Sequence, residues 1–268
     1  MAVPREPPSG AGTARDTTMT EQSYFTLLHL WIAAAILLFP VLLRVTVPYG
    51  RHASRTWGPV MGNRRGWFLM ESVAVIAFSW FLLAGPGPRT AVTWVVAGAF
   101  LLHYLNRTVV FPLQMRPRRN LPVLVVLFGM GFNVVNGYLN GHWLGAMAPP
   151  RGPEWFGDWR FLTGAALFAG GMALNVASDR KLLRLRRAGN SHTIPRGGLF
   201  ELVSSPNLLG EMVEWCGWAL MGWSPAAASF ALWTVVNLVP RALDHHRWYH
   251  RRFPDYPPER KAVIPWLL

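Results

Sequence analysis

The feature that most constrains this chain is a succession of apolar runs, each close to the length of a bilayer crossing. Seven can be traced, at about 24–46, 67–85, 91–111, 121–141, 159–177, 205–222 and 225–243. A helix needs roughly 20 mostly apolar residues to cross the hydrocarbon core, whereas a spanning strand needs only ~9–11. A lipid-embedded backbone must satisfy its own hydrogen bonds, which leaves helices and closed barrels. The run lengths choose helices. The expected fold is an all-α integral membrane protein, a bundle of seven transmembrane helices forming one domain over 21–268. Residues 1–20 are rich in Pro, Gly, Thr and Ala and lack an apolar core. They read as a disordered leader and not as a signal peptide. Turn signals separate the runs, among them Gly85-Pro86-Gly87-Pro88 and Trp223-Ser224-Pro225. The second of these is so tight that the last two runs must form a helical hairpin.

Charge sets the orientation. The chain holds 26 Lys and Arg against 13 Asp and Glu. The basic residues collect after the first run (Arg51, Arg55, Arg64, Arg65), after the third (Arg116, Arg118, Arg119), after the fifth (Arg180, Lys181, Arg184, Arg186, Arg187, Arg196) and after the seventh (Arg247, Arg251, Arg252, Arg260, Lys261). With an odd number of crossings these segments share one side. The positive-inside rule makes that side cytoplasmic, with the N-terminus outside and the C-terminus inside. Because the charge lies in loops between apolar runs, it argues against nucleic acid and for anionic lipid head groups or an anionic cofactor. The single cysteine, Cys216, excludes an intrachain disulfide and reads as a small buried packing residue. With no internal repeat visible, an inverted-repeat transporter is disfavoured.

Ionisable groups within apolar runs usually face a bundle interior and serve a site. Glu71 lies about one turn into the second run; it reads either as an interfacial carboxylate paired with Arg64 or Arg65, or as a buried acid able to hold a proton. The third run carries His103-Tyr104-Leu105-Asn106-Arg107-Thr108, in which Tyr104 and Thr108 share one face and His103 and Arg107 another. A phenol beside a carboxylic acid suits polarisation of a carbonyl oxygen and stabilisation of an enolate. Asn175 and Asp179 stand one turn apart at the end of the fifth run, with Arg186 following in what reads as a basic loop. Asn207, Glu211 and Glu214 or Trp215 form one stripe in the sixth, and Arg241, His245 and Tyr249 one face from the end of the seventh onward. His246 and His250 have metal-ligand spacing, but a single cluster among 8 His does not support a metal centre, and none is expected. Gly10-Ala11-Gly12 is no phosphate loop, so a dinucleotide would be held by loop arginines and the polar ends of the runs, without a Rossmann fold.

Several of these residues fall in longer motifs: Trp67-Phe68-Leu69-x-Glu71, His103-Tyr104-x-x-Arg107-Thr108, Asn175-x-x-Ser178-Asp179, the turn Ile194-Pro195-Arg196-Gly197-Gly198-Leu199-Phe200, Asn207-x-x-Gly210-Glu211-x-x-Glu214-Trp215, and the ending Tyr256-Pro257…Arg260-Lys261…Ile264-Pro265. In these the chain resembles the steroid 5α-reductases (3-oxo-5α-steroid 4-dehydrogenases), as a bacterial member, from about Tyr24 to Leu268. The resemblance implies a membrane enzyme that reduces a conjugated C=C with NADPH. It adds hydride at C5 and a proton at C4 of an apolar 3-oxo-Δ4 substrate that arrives from the bilayer. By the same likeness Glu71 and Tyr104 hold the 3-oxo group, with Met70 and Trp67 beside the substrate. Arg116, Asn175, Asp179, Arg186, Asn207, Glu211, Arg241, His245 and Tyr249 fall at cofactor positions. The implied location is the bacterial inner membrane, and a monomer is expected. Two departures bear on specificity: Met70 stands where the family often has Gln, and His192-Thr193 replace an aromatic–basic pair. Alternatives are a reductase of enoyl thioesters or polyprenols, an S-adenosylmethionine-dependent membrane methyltransferase, and a lipid-binding scaffold.

Overall fold

The structure, a computed structural model, describes residues 11–48, 52, 57–115, 120–187 and 193–268, with residues 11–20 as backbone only. Arg51, Arg55, Arg116, Arg118, Arg119, His192 and the first ten residues of the expected leader lie outside the described residues. The elements are α1 (Ala11–Leu42), β1 (Val60–Gly62), α2 (Asn63–Ala84), α3 (Ala91–Leu105), α4 (Phe111–Gln114), β2 (Asn120–Pro122), α5 (Val123–His142), α6 (Trp159–Arg187), α7 (Pro206–Gly222) and α8 (Pro225–Arg252). A five-residue π turn, Asn106–Val110, joins α3 to α4 as one rod, and a second, Trp143–Met147, extends α5.

Among the described residues, 6 helices are long and apolar enough to cross a membrane: Glu21–Leu42, Asn63–Ala84, Ala91–Gln114, Val123–Met147, Trp159–Arg187 and Pro225–Arg252. The remaining expected run forms α7, whose 17 residues extend about 26 Å at 1.5 Å per residue, short of the ~30 Å hydrocarbon core. Pro206 starts α7 and Trp223, in the left-handed region at φ 39°, ends it. Ser224 then caps α8 by accepting the Ala227 N–H at 3.0 Å, which completes the expected hairpin.

Helix ends depart from the apolar runs in both directions. α6 and α8 continue well past residues 177 and 243. Loss of hydropathy marks exit from hydrocarbon, while Arg, Lys and Leu remain good helix formers. Arg180, Lys181, Arg184, Arg186 and Arg187 therefore stand on α6, and not in the loop expected for them. α1 stops at Leu42, before the β-branched Val45-Thr46-Val47 that precede Pro48, a sequence that disfavours helix.

Glycines bring the helices into backbone contact. β1 and β2 pair antiparallel (Val60↔Pro122, Met61↔Leu121, Gly62↔Asn120), and α2 and α5 then run alongside each other in the same direction, from Gly66 against Val126 to Leu82 against Gly145. On α5 and its π extension, Gly137, Gly141 and Gly145 face α2; a Cβ on each would lie 2.7 Å from Ala77 Cβ, 2.5 Å from the Phe78 carbonyl oxygen and 2.5 Å from the Leu82 carbonyl oxygen. This four-residue spacing of small residues is the close-packing device of membrane helices. α6 and α7 are antiparallel and interlock at two pairs, Gly164 with Gly217 and Gly171 with Gly210.

An aromatic core of Phe78, Phe100, Trp155, Trp215, Trp218 and Phe230 fills the space between α2, α3, α7 and α8. Its indoles are satisfied: Trp218 Nε1 donates to the Val96 carbonyl at 2.8 Å and Trp155 Nε1 to the Met221 carbonyl at 3.1 Å. Leu37, Trp80, Leu102 and Phe128 point outward, as lipid-facing residues do. So does Cys216, which corrects the expectation that it is buried. A C-terminal strap closes the basic end: Lys261 N–H donates to the Leu202 carbonyl (2.9 Å) and Ser204 N–H to the Lys261 carbonyl (2.8 Å). Buried Arg260 ties Pro195 O (2.9 Å) to Glu201 Oε2 (2.8 Å). Gly197 and Gly198 sit at φ 84° and 63°, where a side chain would be strained, so this turn needs both glycines.

Candidate active site

Glu71 shares the buried face of α2 with Ala74, Phe78 and Leu82, and only 8% of it is exposed. Its carboxyl group interacts with the Asn133 side chain of α5 and lies in the field of Arg107, His103 and Glu211. Of the two alternative partners, Arg65 is exposed, and Arg64 turns away and donates to the Met115 carbonyl through Nε at 2.8 Å and to the Leu113 carbonyl at 3.2 Å. Glu71 is thus a bundle-interior acid.

Tyr104 is 4% exposed. Phe100 (4.6 Å between centroids), Trp215 (5.8 Å) and Phe230 (6.5 Å) wall its ring. Its hydroxyl meets the Asn136 side chain and feels Glu71, Glu211 and Arg107. The two groups expected to grip a carbonyl therefore come from different helices and look into one polar cluster.

A π turn, Asn106–Val110, begins two residues after Tyr104. Arg107 projects toward α6, 3.5 Å from Asp179 Oδ2, with its guanidinium over Trp67 (4.6 Å) and Phe111 (4.7 Å). Trp67 is thereby half-buried beneath a cation. Met70 packs its sulfur against Gly129 and accepts, through its carbonyl, the Asn133 amide at 2.7 Å. Thr108 is buried and its Oγ1 has no hydrogen-bond partner among the described residues.

The Gly171–Gly210 contact carries the next cluster. It brings α6 and α7 close enough for Asn175 Nδ2 to reach the Asn207 carbonyl (2.9 Å) and Glu211 Oε2 (3.3 Å). Asn207 Nδ2 in turn donates to Asp179 Oδ1 at 2.9 Å. Asn175, Asp179, Asn207 and Glu211 are thus brought together as expected, and Arg107 joins them to the Tyr104 helix. Arg186 acts on Asp179 from α6 itself. A cleft lined by Asn106, Phe111, Gln114, Val176, Asp179 and Arg180 opens onto this network.

The residues of α8 form a neighbouring group. Arg241 donates to the Val47 carbonyl at 2.9 Å, and His245 stacks on His52 (5.6 Å) with its Nδ1 3.3 Å from Ser205 Oγ, just before α7. Tyr249 stacks on Tyr256 of the C-terminal strap at 5.2 Å. His246 and His250 face each other at 3.1 Å, and Ser204 holds His246 Nδ1 at 2.7 Å. Arg116 lies outside the described residues.

Two features were missed in the sequence. α5 buries Asn133, Asn136 and Asn140, a polar stripe that serves Met70 and Tyr104. The spacing i, i+3, i+7 in an apolar run was its signal, the same signal that marks α7. The other is a direct contact between His103 Nδ1 and Glu214 Oε1 at 2.8 Å, with both residues deeply buried.

A lipid-facing helical exterior enclosing an acid, a phenol and an amide–carboxylate network defines a polytopic membrane protein of enzymatic type, its chemistry sequestered among helices. A family model described as 3-oxo-5-alpha-steroid 4-dehydrogenase matches residues 119–268. "Steroid 5-alpha-reductase DET2" of Gossypium hirsutum is 42% identical over 226 residues, covering 82% of this chain and 88% of that protein. The Arabidopsis thaliana protein of the same name is 39% identical over 241 residues (85% and 90% covered). "3-oxo-5-alpha-steroid 4-dehydrogenase 1" of Homo sapiens is 39% identical over 223 residues (82% and 86%). The chain belongs to the 3-oxo-5-alpha-steroid 4-dehydrogenase family and is an oxidoreductase.

Proposed function

We propose that this oxidoreductase reduces the C4=C5 bond of a 3-oxo-Δ4-steroid, or a similarly shaped apolar enone, with NADPH. What carries the reading is the meeting of Glu71 and Tyr104, from α2 and α3, in one water-poor cluster inside a protein of this family. Each can present an O–H donor to a single carbonyl oxygen. Two donors aimed at that oxygen draw electron density from C5 and stabilise the enolate that forms. They act most strongly where water is excluded, as charge develops. Phe100, Trp215 and Phe230 hold the phenol in one orientation, so little reorganisation is needed. Protonation of the enolate at C4 then releases the saturated ketone.

The residues near Asp179 suit a nicotinamide carboxamide, since Asn175 and Asn207 offer amide donors and Asp179 and Glu211 offer acceptors. Arg186, Arg241 and Arg116 would face phosphates, with His245 and Tyr249 beside them. When bound, NADPH supplies the hydride that adds at C5. Arg186, which acts on Asp179 from the same helix, supports this placement.

The same reading takes α7 as a seventh crossing, shortened at a locally occupied interior, with the N-terminus outside and the basic ends of α6 and α8 in the cytoplasm of a bacterial cell. The substrate enters from the bilayer, and the unit is a monomer of residues 21–268 behind a leader. The test uses detergent-purified protein with NADPH against a Δ4-3-ketosteroid, an enoyl-CoA and a polyprenal, with product analysis. Thermal shifts with NADPH, NADH and S-adenosylmethionine run in parallel, because a bound ligand raises apparent stability by mass action. A 5α-reduced steroid and stabilisation by NADPH are expected. Stabilisation by S-adenosylmethionine alone, or reduction confined to a thioester, would overturn the reading.

A further inference from the structure

His103 and Glu214 stand apart from every role given above. They lie 111 residues apart in the chain, on α3 and α7, and meet through His103 Nδ1 and Glu214 Oε1 at 2.8 Å. His103 is 3% exposed and Glu214 0%. A buried ionisable pair is a poor source of stability compared with apolar side chains of the same volume. This one is less favourable still, since Glu214 Oε2 is buried with no hydrogen-bond partner among the described residues. Packing of α3 on α7 is already supplied by Phe100 against Trp215 (5.6 Å) and Trp218 (5.4 Å) and by the Trp218 indole on the Val96 carbonyl.

The neighbours of the pair indicate what it does. Glu214 and Trp215 are consecutive on α7, and His103 and Tyr104 are consecutive on α3. Glu214 bonds the imidazole, while Trp215 packs edge-on to that ring (4.5 Å, 63°) and against the Tyr104 ring (5.8 Å, 43°). Two adjacent residues of one helix clamp two adjacent residues of the other. His103 also acts electrostatically on Glu71. A carboxylate on Nδ1 selects the tautomer and fixes the plane of a histidine ring. We infer that His103 and Glu214 are a positioning pair that holds the Tyr104 phenol and the field at Glu71 in the geometry needed for carbonyl polarisation.

This inference rests on the role given to Tyr104 and Glu71, and a double-mutant cycle separates the two. The variants are Glu214→Gln, which keeps volume and a hydrogen bond but removes the charge, and His103→Asn, which keeps a donor near Nδ1 but removes the rest of the ring. Each is made alone and with Tyr104→Phe, in full-length protein. Each single variant is expected to lower kcat roughly tenfold or more, the scale on which small misplacements act. KM for the enone and the NADPH-induced thermal shift are expected to stay within twofold and within error, respectively. In the Tyr104→Phe background the same substitutions are expected to cost little more, because residues that act as one unit are not additive. Full additivity, a loss confined to KM, or a wild-type kcat in both single variants would overturn the positioning role. A wild-type rate for Tyr104→Phe alone would instead overturn the carbonyl-donor reading. Should Glu214→Gln fail to fold, His103→Asn carries the cycle; if both fail to fold, the pair is structural and the inference falls.

Discussion

Gly170 and Gly171 are neighbours on α6, yet a methyl group added to each should have opposite effects. At 170 the new Cβ meets nothing within 4 Å. Alanine there removes backbone freedom from the unfolded chain and should leave stability unchanged or raise it by roughly 0.5–1 kcal/mol. At 171 the Cβ would stand 2.4 Å from Glu214 N and 2.6 Å from the Gly210 carbonyl oxygen. Ordinary contact begins near ~3.5 Å, so α6 and α7 must part by about 1 Å at this level. Overpacking of that kind costs ~1–3 kcal/mol. The consequence for the site is sharper. The Asn207–Asp179 and Asn175–Asn207 hydrogen bonds, both 2.9 Å, would open to roughly 3.9 Å, beyond any useful hydrogen bond. Gly171→Ala should therefore lose the stabilisation by NADPH as well as thermal stability, while Gly170→Ala keeps both. The assay is thermal unfolding in detergent with and without NADPH, followed by turnover of a Δ4-3-ketosteroid. If the two alanine variants behave alike, the glycine-set register of α6 against α7 does not build the proposed cofactor site.

Glu71→Gln and Tyr104→Phe should each lower turnover ~10²-fold or more, as loss of one oxyanion donor does, with the NADPH-induced thermal shift unchanged; near-normal rates in both would refute the donor pair. Asp158, just before α6, accepts two hydrogen bonds from the Arg160 side chain at 2.8 Å, which hold its carboxyl below the ordinary value of 3.8, at about 2. A depressed carboxyl stabilises the fold above its unfolded pKa, and that contribution disappears as pH falls through the folded one. Acidification from 3.8 to about 2 should thus destabilise the wild type more than Arg160→Gln, as read by unfolding temperature. Replacing buried Arg260 by Met removes the donor on Pro195 O and one of the donors on Glu201, which keeps the Gly197 N–H and Arg196. It should lower stability by roughly 1–3 kcal/mol and expose the C-terminal strap to limited proteolysis; an unchanged cleavage pattern would argue against the clasp.

Much of this architecture is legible in the chain because it is encoded locally. An apolar run of sufficient length is a helix in lipid wherever it packs, and Trp223-Ser224-Pro225 makes a hairpin from three residues. Helical spacing placed Asn175 with Asp179, and Asn207 with Glu211, because residues on one face of one helix must look the same way. The same logic, applied to Asn133, Asn136 and Asn140, would have found the stripe on α5. Helix ends were less legible, since α6 and α8 run on past their apolar parts.

Periodicity gives an azimuth on a helix; it does not say which helix is opposite. That Glu71 looks to Asn133 and Arg107 and not to Arg64, that Arg107 meets Asp179, and that Cys216 faces outward were decided by helix pairing. So was the meeting of His103 with Glu214 across 111 residues. The sequence by itself determined a helical membrane protein with polar groups buried in particular runs, because burial and length are properties of single helices. Only the tertiary structure decided which of those groups touch, because the pairing of helices depends on glycine faces and strand register that bring distant segments within ångströms of each other.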